Sequence, residues 1–264
     1  MGRKARNISL SFINLVMYLG VVAVNALANI IPINNKSTGE LSDQYPNLFV
    51  PAGFTFSIWG IIYILLGIFI IYQLIVAFKG GAQSDNLFGK IGLLFILSSA
   101  FNMAWIFTWH YEILWASLVV MILLLVSLLS IYLRLNVGKS DAPASEKYMA
   151  HLPFSVYLGW ITIATIANIT ALLVDIGWGR FGLSEQFWAV LVIAVGILIT
   201  LAVLLTRNDI FYSLVVIWSL FGIFINRLAD TITPDLSIRI ATIAGMSIIA
   251  LVIIFQLVRE KRAY

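Results

Sequence analysis

The sequence has no cysteine, only two histidines and few charged residues. The absence of cysteine excludes disulfides, iron–sulfur clusters, thiolate zinc sites and cysteine nucleophiles. Charged residues make up 11% of the 264 positions, whereas a soluble globular chain carries roughly 25%. Hydrophobic residues make up 61%, and the mean hydropathy is +1.01. This composition excludes a water-soluble globular protein.

Catalytic motifs of soluble enzymes are also missing. The sequence contains no glycine-rich phosphate loop, no GxSxG elbow and no Walker motif. The histidines, His110 and His151, are predicted to lie near helix ends on opposite sides of a bilayer, which disfavours a two-histidine zinc or haem site. We therefore predict no catalytic residue and no metal site, and we expect that no cofactor is required.

Long apolar segments separated by short polar breaks indicate the fold. A helix needs about 20 mostly apolar residues to cross a bilayer, and it satisfies its own backbone hydrogen bonds in hydrocarbon. The sequence predicts an all-α polytopic transmembrane helix bundle of about eight spans. The predicted spans are 8–33, 54–78, 91–109, 113–133, 152–174, 187–205, 210–225 and 236–258. The connections at 110–112 and 206–209 are so short that each predicts a tight antiparallel hairpin.

The distribution of lysine and arginine predicts the orientation. If the N terminus is cytoplasmic, twelve of the sixteen basic residues fall on the inner side. The outer side then holds Lys36, Arg180, Arg227 and Arg239. This bias predicts an integral, multi-pass protein of a bacterial cell membrane with both termini in the cytoplasm. Topology and attraction to anionic headgroups explain the basic pI, so the expected partner is the lipid bilayer and not nucleic acid.

Side chains near the predicted helix ends are interpreted as interfacial. The ionisable ones avoid the span centres, where burial of a charge is expensive, and should be solvated by headgroups or water. They are Glu112, His110, His151, Asp175, Arg227, Asp230 and Arg239. An interfacial aromatic belt is predicted for Trp109, Trp115, Trp178 and Trp188. The polar segment 34–50 is either a lid over an outward-facing cavity or a solvated linker.

Three predicted spans carry aromatic and polar side chains along one helical face. The stripes are Trp59, Tyr63 and Gly67 on the second span, Asn102, Trp105 and Trp109 on the third, and Trp160, Ala164 and Asn168 on the fifth. A buried amide must find a hydrogen-bond partner, so both asparagines should point into the bundle. Physics alone supports packing and pocket lining equally for the three tryptophans at 59, 105 and 160.

The same residues resemble the TspO/MBR family, the tryptophan-rich sensory proteins related to the mitochondrial translocator or peripheral benzodiazepine receptor. Three segments carry the resemblance. They are PAGFTFSIW at 51–59 with Tyr63 and Gly67, FNMAW at 101–105 with Phe107 and Trp109, and Leu152-Pro153 with Trp160, Ala164-Thr165 and Asn168. The chain departs from the family pattern at Ala52, where a second proline is common, and by three further helices.

The resemblance implies a fold, a ligand and a division of the chain. Residues 1–180 would form a five-helix TspO/MBR-like ligand-binding bundle, and 181–264 a three-helix C-terminal extension. The bundle would act as a membrane receptor or sensor that binds, and in a further role transports, porphyrin, haem-like or other hydrophobic aromatic ligands. Trp59, Tyr63, Trp105 and Trp160 would be stacking walls, with Asn102 and Asn168 as polar anchors. The family also suggests a homodimer.

Two alternatives from other functional classes stay open. A small-solute secondary transporter would suit eight helices, although such carriers usually show broken helices or charged coupling residues at mid-depth. A porphyrin-degrading membrane enzyme would use the pocket tryptophans in oxidative breakdown of the ligand, an activity proposed for the family.

Overall fold

The computed structural model describes residues 2–230 and 235–262, with the side chains of 259–262 left out. Within these residues all regular secondary structure is helical, and eight helices are long and apolar enough to cross a membrane. The predicted all-α polytopic class is therefore confirmed. Parts of two predictions lie outside the described residues: the end of the predicted 181–264 unit, and the side chains of Arg259, Lys261 and Arg262 in the charge count.

The helices follow one another in a simple up-and-down path. They are α1 (Arg3–Ile30), α2 (Thr38–Asp43), α3 (Ile58–Lys79), α4 (Gly81–Ile91), α5 (Leu94–His110), α6 (Leu114–Leu135), α7 (Ala144–Glu146), α8 (Leu152–Asp175), α9 (Glu185–Arg207), α10 (Ile210–Ala229) and α11 (Leu236–Arg262). A 3₁₀ turn, Gly53–Ser57, leads into α3, and a π-helical turn, Lys147–His151, joins α7 to α8. We call the end of the bundle that holds segments 31–57, 111–113 and 176–184 the lid side.

Both predicted hairpins are present. The turn between α5 and α6 places Glu112 at φ 57°, and the turn between α9 and α10 places Asn208 at φ 52°. Asparagine visits this left-handed region more readily than most residues. The Asp209 carboxylate then accepts the backbone N–H of Tyr212 at 3.1 Å and caps the start of α10. These local contacts reverse the chain within a few residues.

The structure contains a helix, α4, that is not predicted from the sequence. The sequence predicts a polar inner segment between the second and third spans, but the structure forms α4 there. Ser84, Leu87, Phe88 and Ile91 are buried, and this spacing is that of one face of an amphipathic helix. Gly92 at φ 41° separates α4 from α5. A search for continuous apolar runs misses α4 because its other face is polar.

Helix α1 turns a polar face toward the bundle and an apolar face outward. Its buried residues include Asn7, Ser11, Asn14 and Asn25, while Val16 and Leu19 are exposed. The side-chain amides at 7, 14 and 25 donate to Ser84 Oγ at 3.1 Å, to Gln73 Oε1 at 2.8 Å and to Asn102 Oδ1 at 2.8 Å, respectively. Such hydrogen bonds from side-chain amides hold helices together where the surroundings offer no hydrophobic driving force.

The prediction that both histidines are solvated is wrong. His110 is fully buried and His151 is 4% exposed. His110 Nδ1 lies 2.8 Å from the carbonyl oxygen of Ile106, and His151 Nε2 lies 3.7 Å from Glu146 Oε1. Other segments of the protein cover these two helix ends, whereas Glu112 and Asp175 are exposed as predicted.

Candidate functional site

A small cavity lies beneath the lid side, where α3, α5, α8 and α10 meet. The centre of a water molecule can move through about 40 Å³ of it, and one water needs at least roughly 10–15 Å³ on this scale. The cavity therefore has room for about three waters. Four of the six predicted site residues line it: Trp59, Trp105, Trp160 and Asn168.

Segment 36–52 covers the cavity, and we call it the lid. Ser37 and Glu40 form a reciprocal capping box that starts α2. Trp109 Nε1 donates to the carbonyl oxygen of Thr38 at 3.3 Å. Thr38, Ser42, Phe49 and Pro51 line the cavity from this side. The polar segment is thus a folded cover and not a solvated linker.

A polar cluster with an accessible ion pair and a buried tyrosine holds the lid to the α5–α6 turn. Lys36 Nζ and Tyr45 Oη donate to the two carboxylate oxygens of Glu112, at 2.9 and 3.2 Å. The hydrogen bond from Lys36 is the main reason that the pKa of Glu112 is lowered. Burial, followed by the Glu112 charge, raises the pKa of Tyr45 to about 12. At neutral pH the cluster is therefore a carboxylate held between an ammonium and a phenol.

Trp59 is the centre of the aromatic cluster that forms the cavity wall. Its ring stacks on Tyr63 and Trp105 at centroid distances of 5.6 and 6.0 Å. It meets Tyr157 and Trp160 edge-on at 5.9 and 6.1 Å. Each such pair stabilises by about 0.5–1.5 kcal/mol beyond the area it buries. The indoles from α3, α5 and α8 therefore hold one another in place.

The predicted interfacial position of Trp109 is wrong. Trp109 is 5% exposed, stacks on Trp105 at 6.1 Å and lines the cavity. The lid covers this end of α5, so a residue near a helix end becomes interior. Trp115, by contrast, is 68% exposed, in agreement with the belt prediction.

Two predicted site residues lie behind the wall and do not line the cavity. Asn102 donates to Tyr157 Oη at 2.9 Å and accepts from Asn25 at 2.8 Å. Through Tyr157 it orients a ring that packs against Trp59. Tyr63 stacks on the far face of the cluster. A direct contact of Asn102 or Tyr63 with a ligand stays a prediction.

Polar atoms on three cavity-lining residues are buried without a protein partner. They are the indole nitrogens of Trp105 and Trp160 and the amide oxygen of Asn168. The amide nitrogen of Asn168 donates to Ser117 Oγ at 3.0 Å, which fixes the orientation of the amide. An unsatisfied buried polar group costs about 1–3 kcal/mol. The lining residues thus combine apolar surface with two buried donors and one buried acceptor that have no protein partner.

Helix α10 completes the cavity and holds the lead-in to α3. Ser219 and Ile223 line the cavity. Three hydrogen bonds join α10 to segment 50–55: Ala52 N to Gly222 O at 3.0 Å, Trp218 Nε1 to Thr55 O at 3.0 Å, and Asn226 Nδ2 to Val50 O at 2.9 Å. The C-terminal end of the lid is therefore hydrogen-bonded to α10.

Gly222 allows this close approach. A Cβ atom at this position would lie 2.0 Å from Thr55 Oγ1 and 3.0 Å from Thr55 Cβ. Rotation of the threonine side chain cannot relieve both contacts. Gly222 is thus required by packing and not by backbone conformation.

The described residues define a class: a polytopic helical membrane protein with a tryptophan-walled cavity under a lid. The family model described as TSPO-like protein matches residues 11–255. The chain belongs to this family, and the predicted TspO/MBR-like assignment is confirmed. The match runs through α9 and α10 into α11, while the boundary at residue 180 stays a prediction. No curated protein and no solved structure matches the chain.

Among residues 2–230 and 235–262, no three histidine, aspartate or glutamate side chains group closely enough to hold a metal ion. The chemistry on offer at the cavity is stacking and hydrogen bonding by neutral side chains. This chemistry suits recognition of a flat, largely apolar molecule with a few polar edge groups.

Proposed function

We propose that this membrane protein is a receptor or sensor that binds a flat hydrophobic ligand, a tetrapyrrole such as a porphyrin, in the cavity beneath the lid. One observation carries the proposal. The indole N–H groups of Trp105 and Trp160 and the amide oxygen of Asn168 have no protein partner. Each of these groups costs free energy while it is buried and unpaired, and a ligand with complementary hydrogen-bonding groups at its edge removes this cost.

The chemistry of a tetrapyrrole matches these groups. Its flat faces stack on indole rings, which favour offset and edge-on contacts. Its carboxylate oxygens accept hydrogen bonds from the indole N–H groups, and a protonated carboxyl group at the same edge donates to the Asn168 oxygen. Neutral donors orient such a ligand without the cost of a buried protein charge.

Size requires that the lid moves. Room for about three waters is far less than a tetrapyrrole needs, because sites for drug-sized ligands measure roughly 300–1,000 Å³. The Lys36–Glu112–Tyr45 cluster holds one end of the lid, and its ion pair is solvent-accessible, so that pair contributes only about 0–1 kcal/mol. Displacement of the lid would be transmitted to α10 through the hydrogen bond between Ala52 and Gly222. This coupling gives ligand occupancy a structural readout, as a sensor requires.

A titration with protoporphyrin IX tests the proposal. The purified protein in lipid nanodiscs should shift the porphyrin Soret band with saturable, micromolar affinity. Ala164→Phe fills the cavity from α8 and should weaken binding at least about tenfold, a loss of 1.4 kcal/mol.

Ala202→Phe is the matched control, because Ala202 is exposed on α9. It should bind as the native protein does. Absence of saturable binding by the native protein, or equal affinity of the Ala164→Phe variant, would contradict the proposed site.

A further inference from the structure

A second, larger space opens beside the cavity. It is a cleft of about 700 Å³ between the lid, α8, α9 and the α8–α9 turn. Its walls include Trp178 and Trp188, whose ring centroids lie 4.8 Å apart. Arg180 and Glu185 lie at its rim and form an exposed ion pair of 3.2 Å. The cleft thus has the size of a small-molecule site, with aromatic walls and a charged rim.

One side chain is shared by the linings of the cleft and of the inner cavity. Phe49 is 2% exposed and lines both spaces. On α8 the two spaces also meet, because Asn168 lines the cavity while Ile169 and Thr170 line the cleft. Phe49 sits in a turn in which its backbone N–H donates to Asn47 Oδ1 at 3.0 Å. The phenyl ring is therefore a partition carried by a loop.

The contacts of the lid distinguish two routes into the cavity. A ligand that enters past α2 must break the Lys36–Glu112 contact of 2.9 Å and the Trp109–Thr38 hydrogen bond of 3.3 Å. A ligand that enters from the cleft must displace the apolar ring of Phe49, which gives up no hydrogen bond. Movement of the 46–49 turn then widens the cavity toward a space that is already open.

We propose that the cleft between α8 and α9 is the entrance for the flat hydrophobic ligand and that the ring of Phe49 is its gate. This inference rests on the proposed function, because it names the route to the same cavity. It gives α9 a role that the five-helix bundle alone lacks: one wall of a lateral entrance. The Arg180–Glu185 rim would meet the polar edge of the ligand while the paired indoles meet its face.

Association kinetics of protoporphyrin IX with the protein in nanodiscs test the gate. Association rates among variants of one site span about one to three decades, so Phe49→Ala should raise the association and dissociation rates about tenfold each. Val192→Trp narrows the cleft from α9 and should slow both rates about tenfold, with little change in equilibrium affinity.

Leu198→Trp is the matched control, because Leu198 is 65% exposed on another face of the same helix and does not line the cleft. It should leave the rates unchanged. Unchanged rates in Val192→Trp, or equal slowing in both tryptophan variants, would overturn the entrance while leaving the proposed function standing. Failure of the native protein to bind the porphyrin would overturn both proposals.

A locked lid separates the two routes in the same assay. The chain has no cysteine, so Lys36→Cys and Glu112→Cys can be joined selectively by a short bismaleimide. If the cleft is the entrance, the cross-linked protein keeps its association rate within about twofold, well inside the spread seen among variants. Loss of association on cross-linking would identify the α2 end of the lid as the entrance and overturn the gate.

Discussion

The first five membrane-length helices and the last three bury polar side chains in different ways. In α1, α3, α5 and α8, buried amides bond between helices, as Asn14 does to Gln73 and Asn25 to Asn102. In α9, α10 and α11, buried hydroxyls mostly bond to their own helix, as Thr200 does to Gly196 O and Thr242 to Ile238 O. The first region is cross-linked by bonds between side chains, whereas the bonds between the last three helices run from side chains to backbone carbonyls, as Gln256 does to Leu204 O and Arg239 to Arg227 O.

This difference explains why the two groups of helices contribute differently to the cavity. Specific cross-links fix the register of the helices that carry Trp59, Trp105 and Trp160. Helix α10 lets the lead-in to α3 approach closely at Gly222 and holds it with hydrogen bonds from Trp218 and Asn226. The last three helices therefore support the lid, while the first five carry the proposed recognition groups.

Overpacking the contact between the two regions should have the largest effect. Gly222→Val places a side chain against Thr55, so we expect a loss of about 3 kcal/mol in the free energy of unfolding, the upper end of overpacking costs. Porphyrin binding should be lost with it. Gly60→Val is the control, since a Cβ at Gly60 meets nothing within 4 Å. A tolerated Gly222→Val would show that the contact does not join the regions.

Removing a directional cross-link should cost more than removing a local hydroxyl bond. Asn102→Leu leaves Tyr157 Oη without its donor and should lower the free energy of unfolding by about 2 kcal/mol. Ser213→Ala in α10 removes a hydrogen bond to Asp209 O in the same helix start and should cost about 0.5 kcal/mol. Equal losses in denaturant unfolding would remove the distinction between the regions.

Much of this comparison follows from the sequence, and part of it does not. Composition and the length of the apolar runs predict eight spans because the bilayer requires both. The stripes on α3, α5 and α8 predict that Trp59, Trp105 and Trp160 meet, and Asn168 joins them at the cavity. These features depend on periodicity within one helix.

The missed features depend on contacts between distant segments. Trp109 lies near a helix end and becomes interior only because the lid covers it. Ser219 and Ile223 reach the cavity because α10 packs against α8 and the 50–55 segment, and single residues of α10 do not signal this. The polar face of α1 was readable in principle, because Asn7, Ser11, Asn14 and Asn25 recur at intervals of three, four and eleven residues.

A single hydrogen bond across the boundary should have a smaller effect. Trp218→Phe keeps an aromatic ring against Phe54 but removes the donor to Thr55 O. We expect a loss of about 1 kcal/mol in stability and weaker porphyrin binding. Trp188→Phe removes an exposed hydrogen bond to Arg180 O and should change stability little. If Trp188→Phe lowered thermal stability more than Trp218→Phe, the hydrogen bond between α10 and the lead-in to α3 would not stabilise the protein as proposed.

Lowering the pH should weaken the contacts between Glu112 and the lid. Its effect on the free energy of unfolding should be smaller than that of the substitutions above. The folded-state pKa of Glu112 is lowered, so its contacts stabilise the lid above its ordinary pKa of about 4.3 and are lost as the pH falls through the lowered value. At pH 7 the free energy of unfolding of the native protein should exceed that of the Glu112→Gln variant by at most about 1 kcal/mol. The difference should shrink as the pH falls below the ordinary pKa and vanish below the lowered folded-state pKa, and a pH-independent difference would contradict the assigned contact.

The most direct test of the central claim removes the free donors and keeps the rings. The double variant Trp105→Phe, Trp160→Phe keeps an aromatic ring at each position and loses no protein hydrogen bond, so it should still fold, with a stability loss that reflects only the smaller buried rings. Its affinity for protoporphyrin IX, measured by the Soret shift, should fall about tenfold to a hundredfold, at about 0.5–1.5 kcal/mol per lost hydrogen bond. Trp115→Phe should bind unchanged. Native affinity in the double variant would contradict recognition through these donors.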